Sequence, residues 1–586
     1  MKDSRNVRNP TEPSINENGD RSLRRLEMGF WLLAIILGFA HVWADHHYFM
    51  NADVMSYIDI AEAYLRNDWQ KAVNSYWSPL YSWLIAIALA IVKPSPYWKF
   101  ALVHLVNFGM YLFALACFCF LMREMLSRQS NRRGELLTQG LVELPDWALV
   151  AVGYALFIWS SLFLITLQLE SPDMLVAAFV YLATGILLRI RRQPSTWAPF
   201  VLLGICLGLG FLAKSVMFLL TPVFLIAAML AVRNVRRALP RVAIAVVLFL
   251  LVAGPFVYAM SQSKGGFTTG RSGRLNYLWA INRIRNTHWQ GEEPGSGTPK
   301  HSTRKIFDNP PAFEFSEPVG GTYPVWYDPT YWYEGSTSHF DFGQQLRVFV
   351  GGLKAYYELF SYWGLQYGLL VGVFALFVMS GRGRLLVYDW IEQWSLIIPG
   401  LAGLGVYALV NVQGRYVAPF IVLLWLALFM AVRLHHTPNA LRFIRSIILA
   451  VVALIILTTV ASSSREMRLT LGHLLRGENP EAHEQWQVAE GLREMGVTPS
   501  DKVAFIGDSF RAFWADLLGT RVVAEIRRDK VRDFWEADPA VKSDLIDAFA
   551  GTGVKAVIAE KPPTGIELNG WRRIRNTDYY VHLMSR

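Results

Sequence analysis

Long apolar runs separated by short polar segments dominate the chain. A run of about 20 apolar residues is long enough to cross a bilayer as a helix. Runs of this kind lie near residues 28–45, 100–122, 147–168, 174–190, 198–213, 216–232, 241–260, 362–380, 394–411, 416–433 and 443–462. The pattern predicts an α-helical polytopic membrane protein with about eleven transmembrane helices.

A shorter apolar run at residues 77–92 decides the orientation. It begins beside Ser78-Pro79, and we interpret it as lying along the outer interface without crossing. The short cytoplasmic loops then carry most of the arginines, as the positive-inside rule requires. These are Arg21, Arg24, Arg25, Arg123, Arg128, Arg132, Arg133, Arg189, Arg191, Arg192, Arg233, Arg236, Arg237, Arg241, Arg382, Arg384, Arg433, Arg442 and Arg445. A crossing at 77–92 would put every basic loop after it outside.

The same orientation places five segments on one outer face. They are residues 46–99, 169–173, 261–345, 411–415 and 463–586. The prediction is a multi-pass protein of the inner (cytoplasmic) membrane with an extracytoplasmic C-terminal domain. The loop at 261–345 is rich in Gly, Pro, Tyr and Trp. A structureless loop of that length is unusual, so we predict an ordered, functional segment.

Three domains follow from these patterns. The polar residues 1–27 are predicted as a disordered cytoplasmic tail, and residues 28–462 as the transmembrane domain. Residues 463–586 are predicted as a small α/β domain, because strands and helices alternate there. The strands are 503–507, 522–526, 556–559 and 579–583, and the helices are 483–495, 509–518 and 539–550.

Composition narrows the function. Charged residues make up 17% of the 586 residues, below the roughly 25% of soluble proteins. The net charge of +10 would suggest nucleic acid in a soluble chain, but membrane topology explains these arginines, so no nucleic-acid partner is predicted. Cys117, Cys119 and Cys206 lie in apolar runs and are predicted to be buried. No organic cofactor is expected, and a divalent metal stays open.

Three acids on the predicted outer face could carry chemistry. Asp53 follows the first apolar run, on an amphipathic segment where Tyr57 shares a helical face with other apolar residues. A carboxylate there could take a proton from an acceptor hydroxyl, or it could cap the helix. Glu170 and Asp173 flank Ser171-Pro172 between two apolar runs. They could orient a base, bind a metal or pair with an arginine, or form an ordinary turn.

Three basic positions are candidates for binding a lipid phosphate. Lys214 lies between two apolar runs, where it could bind phosphate or extend to the interface. Arg415-Tyr416 begins a run on the face that is otherwise poor in arginine, and a guanidinium suits bidentate phosphate binding. Arg271 is a weaker candidate of the same kind.

A further motif, Gly507-Asp508-Ser509, follows a predicted strand in the C-terminal domain. A hydrolase nucleophile can occupy such a turn, as can an ordinary helix cap. The Asp-x-x-His partner that a hydrolase would need does not follow it in the sequence, which favours the cap.

Together these motifs resemble the GT-C glycosyltransferases, and more narrowly the family 39 group of protein mannosyltransferases and lipid A aminoarabinose transferases. Asp53, Tyr57 and Ala61 match the family's acidic loop motif, although Val54 replaces its second acid. The matching later segments are Tyr76-Trp77-Ser78-Pro79-Leu80-Tyr81, Glu170 to Asp173, Gly204 to Lys214, and Arg415-Tyr416-Val417-Ala418-Pro419.

This resemblance implies a function at the outer face of the cytoplasmic membrane. It implies inverting transfer of a hexosyl or pentosyl unit from a polyprenyl-phosphate-linked donor to a glycan, lipid or protein acceptor. Asp53, Glu170 and Asp173 would be catalytic. Phosphate binding would fall to Lys214, Arg415, Tyr416 and Arg271, and acceptor or sugar binding to Tyr57 and Tyr81. No metal site is implied. The alternative is a flippase or exporter of a lipid-linked glycan, which should carry polar groups near the middle of its spans.

Overall fold

The computed structural model is built of helices, with one mixed sheet near its C-terminus. It describes residues 17–45, 50–284, 303–315, 319–333, 335–361, 364–380, 385–435, 437–476, 481–566 and 568–584. The helices up to the long loop are α1 (Glu17–Asp45), α2 (Ala52–Leu65), α3 (Trp69–Ala72), α4 (Pro79–Val92), α5 (Lys99–Thr138), α6 (Asp146–Trp159), α7 (Asp173–Arg192), α8 (Ala198–Ala213), α9 (Met217–Ala231) and α10 (Val235–Ser263).

The long loop and the rest of the membrane domain add eight more helices. These are α11 (Ser272–Ala280), α12 (Pro324–Tyr327), α13 (Phe342–Ser361), α14 (Leu365–Ser380), α15 (Leu385–Ile391), α16 (Trp394–Ala408), α17 (Gly414–Met430) and α18 (Pro438–Arg476). A short antiparallel pair, β1 (Leu141–Val142) and β4 (Leu434–His435), links two of the connections.

The chain is a multi-pass membrane protein. In the part of the chain that the structure describes, six helices are long and apolar enough to cross a bilayer, or seven if the bent pair α13–α14 forms one span. Five shorter apolar helices, α4, α8, α9, α16 and α17, accompany them. The count of eleven spans therefore stays a prediction. The run at 77–92 forms α4, whose 14 residues span only about 21 Å.

One boundary differs from the sequence prediction. The first helix begins at Glu17, so residues 17–27, which were assigned to the N-terminal tail, are helical. The apolar pattern starts only at Met28, and the preceding turns are polar, which is why the pattern missed them. Residues 1–16 of the predicted tail lie outside the described residues.

Close helix packing fixes the centre of the bundle. Helix α7 is buried along almost its whole length and packs against α5 and α8. Gly204 and Gly208 of α8 face α10, and a Cβ on Gly204 would come within 2.3 Å of the Ala245 carbonyl oxygen. Small residues here let the two backbones approach, as in other membrane helix pairs.

The C-terminal domain is a seven-stranded mixed sheet with helices. Its order is β2-β3-β6-β5-β7-β9-β8, and β5 is parallel to both neighbours. The C-terminal strands are β5 (Lys502–Gly507), β6 (Arg521–Arg527), β7 (Ala556–Glu560), β8 (Arg572–Arg573) and β9 (Tyr579–Leu583). The helices are α19 (Glu481–Glu494), α20 (Phe513–Leu518), α21 (Val531–Glu536) and α22 (Pro539–Ala550). The small sheet domain predicted from the sequence is confirmed.

The long loop contributes two strands to this sheet. Strands β2 (Thr303–Phe307) and β3 (Ala312–Phe315) form an antiparallel hairpin. Strand β3 pairs with β6, also antiparallel, with Phe313 opposite Glu525. The predicted boundary at 463 therefore does not enclose the whole domain, since two of its seven strands come from residues 261–345. Residues 285–302 of that loop lie outside the described part.

A segment of the same loop joins the sheet to the membrane domain. The Asp59 carboxylate on α2 accepts hydrogen bonds from the Thr322 backbone N–H at 2.7 Å and from its hydroxyl at 3.0 Å. The Thr322 carbonyl in turn accepts from the N–H of Val522 in β6 at 2.9 Å. This chain of bonds holds the loop between α2 and the sheet.

Candidate active site

The main candidate site is a cavity of about 490 Å³ where α2, α7, α9, α16 and α17 meet the long loop. Its lining includes six of the residues selected from the sequence: Asp53, Tyr57, Asp173, Lys214, Arg415 and Tyr416. These residues lie up to 363 positions apart in the chain, from 53 to 416. The fold therefore brings two of the selected acids, Asp53 and Asp173, together with the cations Lys214 and Arg415.

Asp53 occupies the first turn of α2, but it does not cap the helix. Asn51 is the cap, because its side-chain oxygen accepts the Asp53 backbone N–H at 3.1 Å. The Asp53 carboxylate instead accepts a hydrogen bond from the indole N–H of Trp326 at 3.2 Å. Its second oxygen makes no hydrogen bond to any described residue and could receive a proton from a ligand.

The surroundings of Asp53 tune its basicity. Burial raises the pKa of the Asp53 carboxyl, while Arg415, the Trp326 hydrogen bond and Lys214 oppose that rise. A carboxylate with a raised pKa holds a transferred proton better than an ordinary surface acid does. The environment therefore suits a general base.

Asp173 begins α7 and joins the acid-bearing turn to the cations. Its carboxylate lies 2.5 Å from the Lys214 ammonium and accepts the Ser171 hydroxyl at 2.9 Å. Lys214 lies in the break between α8 and α9, 3.9 Å above the centre of the Tyr416 ring. Asp173 therefore contacts both candidate phosphate-binding cations, Lys214 and, at 3.6 Å, Arg415.

Arg415 lies in the first turn of α17 and faces the same carboxylate. Its Nε atom donates to the Gln413 side chain at 2.9 Å and lies 3.6 Å from Asp173. Its Nη2 atom donates to the Tyr416 hydroxyl at 3.1 Å. Within the described residues its Nη1 atom has no hydrogen-bond partner, and the side chain is 18% exposed. Part of the guanidinium is therefore available to an anion.

Glu170 does not line the cavity, and its catalytic role stays a prediction. Its carboxylate is fully buried and lies 3.2 Å from Nε2 of His104, which is also fully buried. The turn at 170–173 directs Asp173 into the cavity and Glu170 into the protein behind it. Sequence spacing could not distinguish the two, because consecutive turn residues point in different directions.

Two other candidates also lie away from the cavity. The Tyr81 hydroxyl donates to the Asn107 side chain at 2.7 Å, and the Tyr81 ring packs 4.8 Å from the ring of Tyr57. Tyr81 thus supports Tyr57, which lines the cavity. The Arg271 backbone N–H donates to Ser75 at 2.7 Å, but its side chain is not part of the lining. Its neighbours Thr269, Gly270, Ser272 and Gly273 do line the cavity.

Trp326 was not selected from the sequence. It lies in α12, within the aromatic loop segment that was predicted to be ordered, and it lines the cavity beside Asp53. Its ring packs 5.6 Å from Trp77 and 6.0 Å from Tyr76. The density of aromatic residues around 322–333 marked the segment, but nothing in the sequence singled out one indole.

The cavity combines a proton acceptor with a cationic region. Two carboxylates, one ammonium and one guanidinium surround space for a ligand of sugar size. Among the residues that the structure describes, no three His, Cys, Asp or Glu side chains form a group that could hold a metal ion. The two cations of the lining can bind a phosphate, and the Asp53 carboxylate can accept a proton.

Solved structures with a similar fold include ArnT from Cupriavidus metallidurans bound to undecaprenyl phosphate. That match has 12% identity and a TM-score of 0.50, and it covers 97% of this chain and 98% of that chain. The same ArnT in the apo state matches at 14% identity, TM-score 0.47, over 94% and 97%. Archaeal oligosaccharyltransferase AglB from Archaeoglobus fulgidus, with an inhibitory peptide and a dolichol-phosphate, matches at 13%, TM-score 0.46, over 91% and 69%. No protein-family profile and no curated protein matches the sequence.

ArnT is a lipid A aminoarabinose transferase with the GT-C fold of membrane glycosyltransferases. The match to ArnT with undecaprenyl phosphate spans nearly the whole of both chains, so this chain has the GT-C fold. The fold predicted from the motifs is confirmed.

Proposed function

We propose that the chain is a glycosyltransferase that moves a sugar from a polyprenyl-phosphate donor to an acceptor hydroxyl or amine. The observation that carries the proposal is the convergence of Asp53, Lys214 and Arg415 on one cavity of a GT-C fold. The ArnT structure with undecaprenyl phosphate supports a lipid phosphate as the leaving group.

The proposed reaction is a single displacement. The acceptor oxygen or nitrogen attacks C1 of the sugar, and Asp53 takes its proton. The bond from C1 to the phosphate oxygen breaks, and the polyprenyl phosphate leaves with the electron pair. Arg415 and Lys214 stabilise the charge that develops on that oxygen. Attack opposite the leaving group inverts the configuration at C1.

The experiment is sugar transfer by the purified protein in detergent. A panel of undecaprenyl-phosphate sugars is incubated with envelope glycans and lipids, and products are identified by mass spectrometry. Transport has no meaning without a sealed compartment, so any product requires catalysis. Absence of transfer from every donor would favour the flippase or exporter.

The membrane orientation belongs to the same proposal. We propose that residues 123–146 face the cytoplasm and residues 480–586 face outward. Helix α7 supports this, because Asp173 begins it at the cavity and Arg189, Arg191 and Arg192 occupy its last turn, about 30 Å away. Single cysteines at the exposed positions Ser130 and Ser543 should label from opposite sides of the membrane. Labelling from one side would contradict the orientation.

A further inference from the structure

A second cavity lies in the C-terminal domain, outside the site described above. It has a volume of about 490 Å³ and is lined by Gly507 and Arg527, the last residues of β5 and β6. The chain runs from β5 to β6 on one side and then to β7 on the other side of β5. This is a topological switch point, where open α/β sheets bind ligands. We call this cavity the sheet crevice.

A buried hydroxyl in the sheet crevice lacks a partner. Ser509 is 2% exposed, and its Oγ makes no hydrogen bond to any described residue. Buried polar groups are nearly always satisfied in native proteins, and each exception needs an explanation. Ser509 lines the crevice, so a ligand's polar group would complete its bonding.

The charges of the sheet crevice indicate the class of ligand. Asp508, Glu525 and Asp529 line the crevice with Arg527 and Arg528, and Arg511 lies 3.8 Å from Asp508, so acids and cations are equal in number. Without an excess of cations, the crevice does not favour a phosphate or carboxylate ligand. Carboxylates accept hydrogen bonds and guanidinium groups donate them, so together they suit sugar hydroxyls, which do both.

The sheet crevice adjoins the main cavity. Phe510 lines the crevice, and its ring lies 5.1 Å from the ring of Trp326, the residue that donates to Asp53. Phe510 also packs 5.3 Å from Tyr323, whose hydroxyl bonds to Glu525 at 3.1 Å. One aromatic contact therefore separates the two cavities, and Phe510 offers an apolar ring to a sugar face.

We propose that the sheet crevice binds an uncharged glycan portion of the acceptor and holds it next to Asp53. The proposal rests on the proposed transferase function and names the substrate class of its second site. The crevice holds sugar units that precede the reacting one, while the reacting group enters the main cavity.

Binding by the full-length protein in detergent tests the crevice directly. The probe is an array of neutral and phosphorylated envelope oligosaccharides, followed by titration of each hit. We expect saturable binding of a neutral glycan. Arg528→Ala should weaken it about 10-fold, because a charged donor is lost. Arg532→Ala is the matched control, since Arg532 is exposed in the same domain, pairs with Glu536 and does not line the crevice.

Ser509→Ala separates a binding role from a structural one. Because the hydroxyl has no partner, its removal should leave the melting temperature unchanged or raised while glycan binding weakens. Unchanged binding by both Ser509→Ala and Arg528→Ala would overturn the proposal, as would binding of phosphorylated glycans only, or of none.

Kinetics distinguish a failure of the crevice proposal from a failure of the transferase proposal. In the transfer assay Arg528→Ala should raise the acceptor KM about 10-fold with kcat and the donor KM unchanged. An unchanged acceptor KM would refute the crevice and leave the transferase intact. Absence of transfer by the wild-type protein would refute the transferase, while the binding experiment still decides whether the crevice takes a glycan.

Discussion

Two arginines lie at opposite ends of α17, and their surroundings differ. Arg433, just beyond the last turn, is 1% exposed and forms ion pairs with Glu143, Glu392 at 3.4 Å and Asp389 at 3.9 Å. Arg415, in the first turn, is 18% exposed and faces an open cavity. One arginine is enclosed by acids of its own chain, and the other keeps hydrogen-bonding capacity for a ligand.

The difference shows how to separate a structural ion cluster from a binding site. Both clusters were rich in charge in the sequence, and both join distant helices. Acidic side chains of the protein form ion pairs with Arg433, so removing Arg433 leaves carboxylates without this partner. For Arg415, a phosphate can supply the missing acceptor. The two positions should therefore fail in different ways when they are mutated.

The largest expected effect is on stability, at Arg433. Arg433→Ala takes a buried cation away from the largely buried Glu143 and Asp389, and it should lower the free energy of unfolding by about 3–5 kcal/mol. Thermal unfolding in detergent, followed by size-exclusion chromatography, measures this. Arg236→Ala, at an exposed basic position, is the control and should change little. If Arg433→Ala were as stable as the wild-type protein, the structural role of the Arg433 ion pairs would be wrong.

The next effect is on catalysis, at Asp53. Asp53→Asn keeps the shape but cannot take a proton, so the transfer rate should fall by about 10²-fold or more. Stability should hold, because Asn51 caps the helix. Binding of undecaprenyl phosphate is measured alongside and should persist. Near-normal turnover would remove Asp53 as the base.

Arg415 should affect donor binding more than stability. Arg415→Ala removes a charged donor and should raise the donor KM about 10-fold, slow transfer and leave the melting temperature nearly unchanged. Arg415→Lys should restore only part of the loss, because an ammonium lacks the planar fork of a guanidinium. If Arg415→Ala transferred sugar at the wild-type rate at limiting donor, Arg415 would not bind the donor phosphate.

The smallest expected effect is a shift in pH dependence. The base acts when deprotonated, so transfer should rise with pH through the pKa of Asp53. The Trp326 hydrogen bond lowers that pKa, so Trp326→Phe should raise it. The low-pH limb of the profile of transfer rate against pH should then move to higher pH. Trp69→Phe, at an exposed tryptophan of the segment 46–99 that also carries Asp53, should not move it. If the low-pH limb of the rate profile of Trp326→Phe did not move, another group would be the base.

Local patterns predicted the elements well. The strand at 579–583 was predicted with its observed bounds, and the strand at 503–507 differs by one residue from the observed Lys502–Gly507. The hairpin at 303–315 could not be found this way, because its pairing partner β6 lies about 200 residues further along. Strand pairing between distant segments leaves no periodic signal in either one.

The site was predicted in part. Acidic and basic residues at the ends of apolar runs identified Asp53, Asp173, Lys214 and Arg415, because the outer ends of neighbouring spans must meet at one surface. Glu170 was selected by the same pattern but lies beside His104, outside the cavity, since the pattern carries no information about which way a turn residue points. A side chain's direction depends on packing, and packing becomes visible only in the fold.

The hairpin β2–β3 also has a consequence for biosynthesis. Phe315 ends β3 and Arg521 begins β6, so 206 positions separate them. At about 5–20 residues per second, a ribosome needs roughly 10–40 s to synthesise the missing partner strand. Throughout that interval the nascent chain carries an unpaired strand edge, which is a template for aggregation. The edge therefore stays open to pairing with other chains until β6 has been synthesised, late in translation.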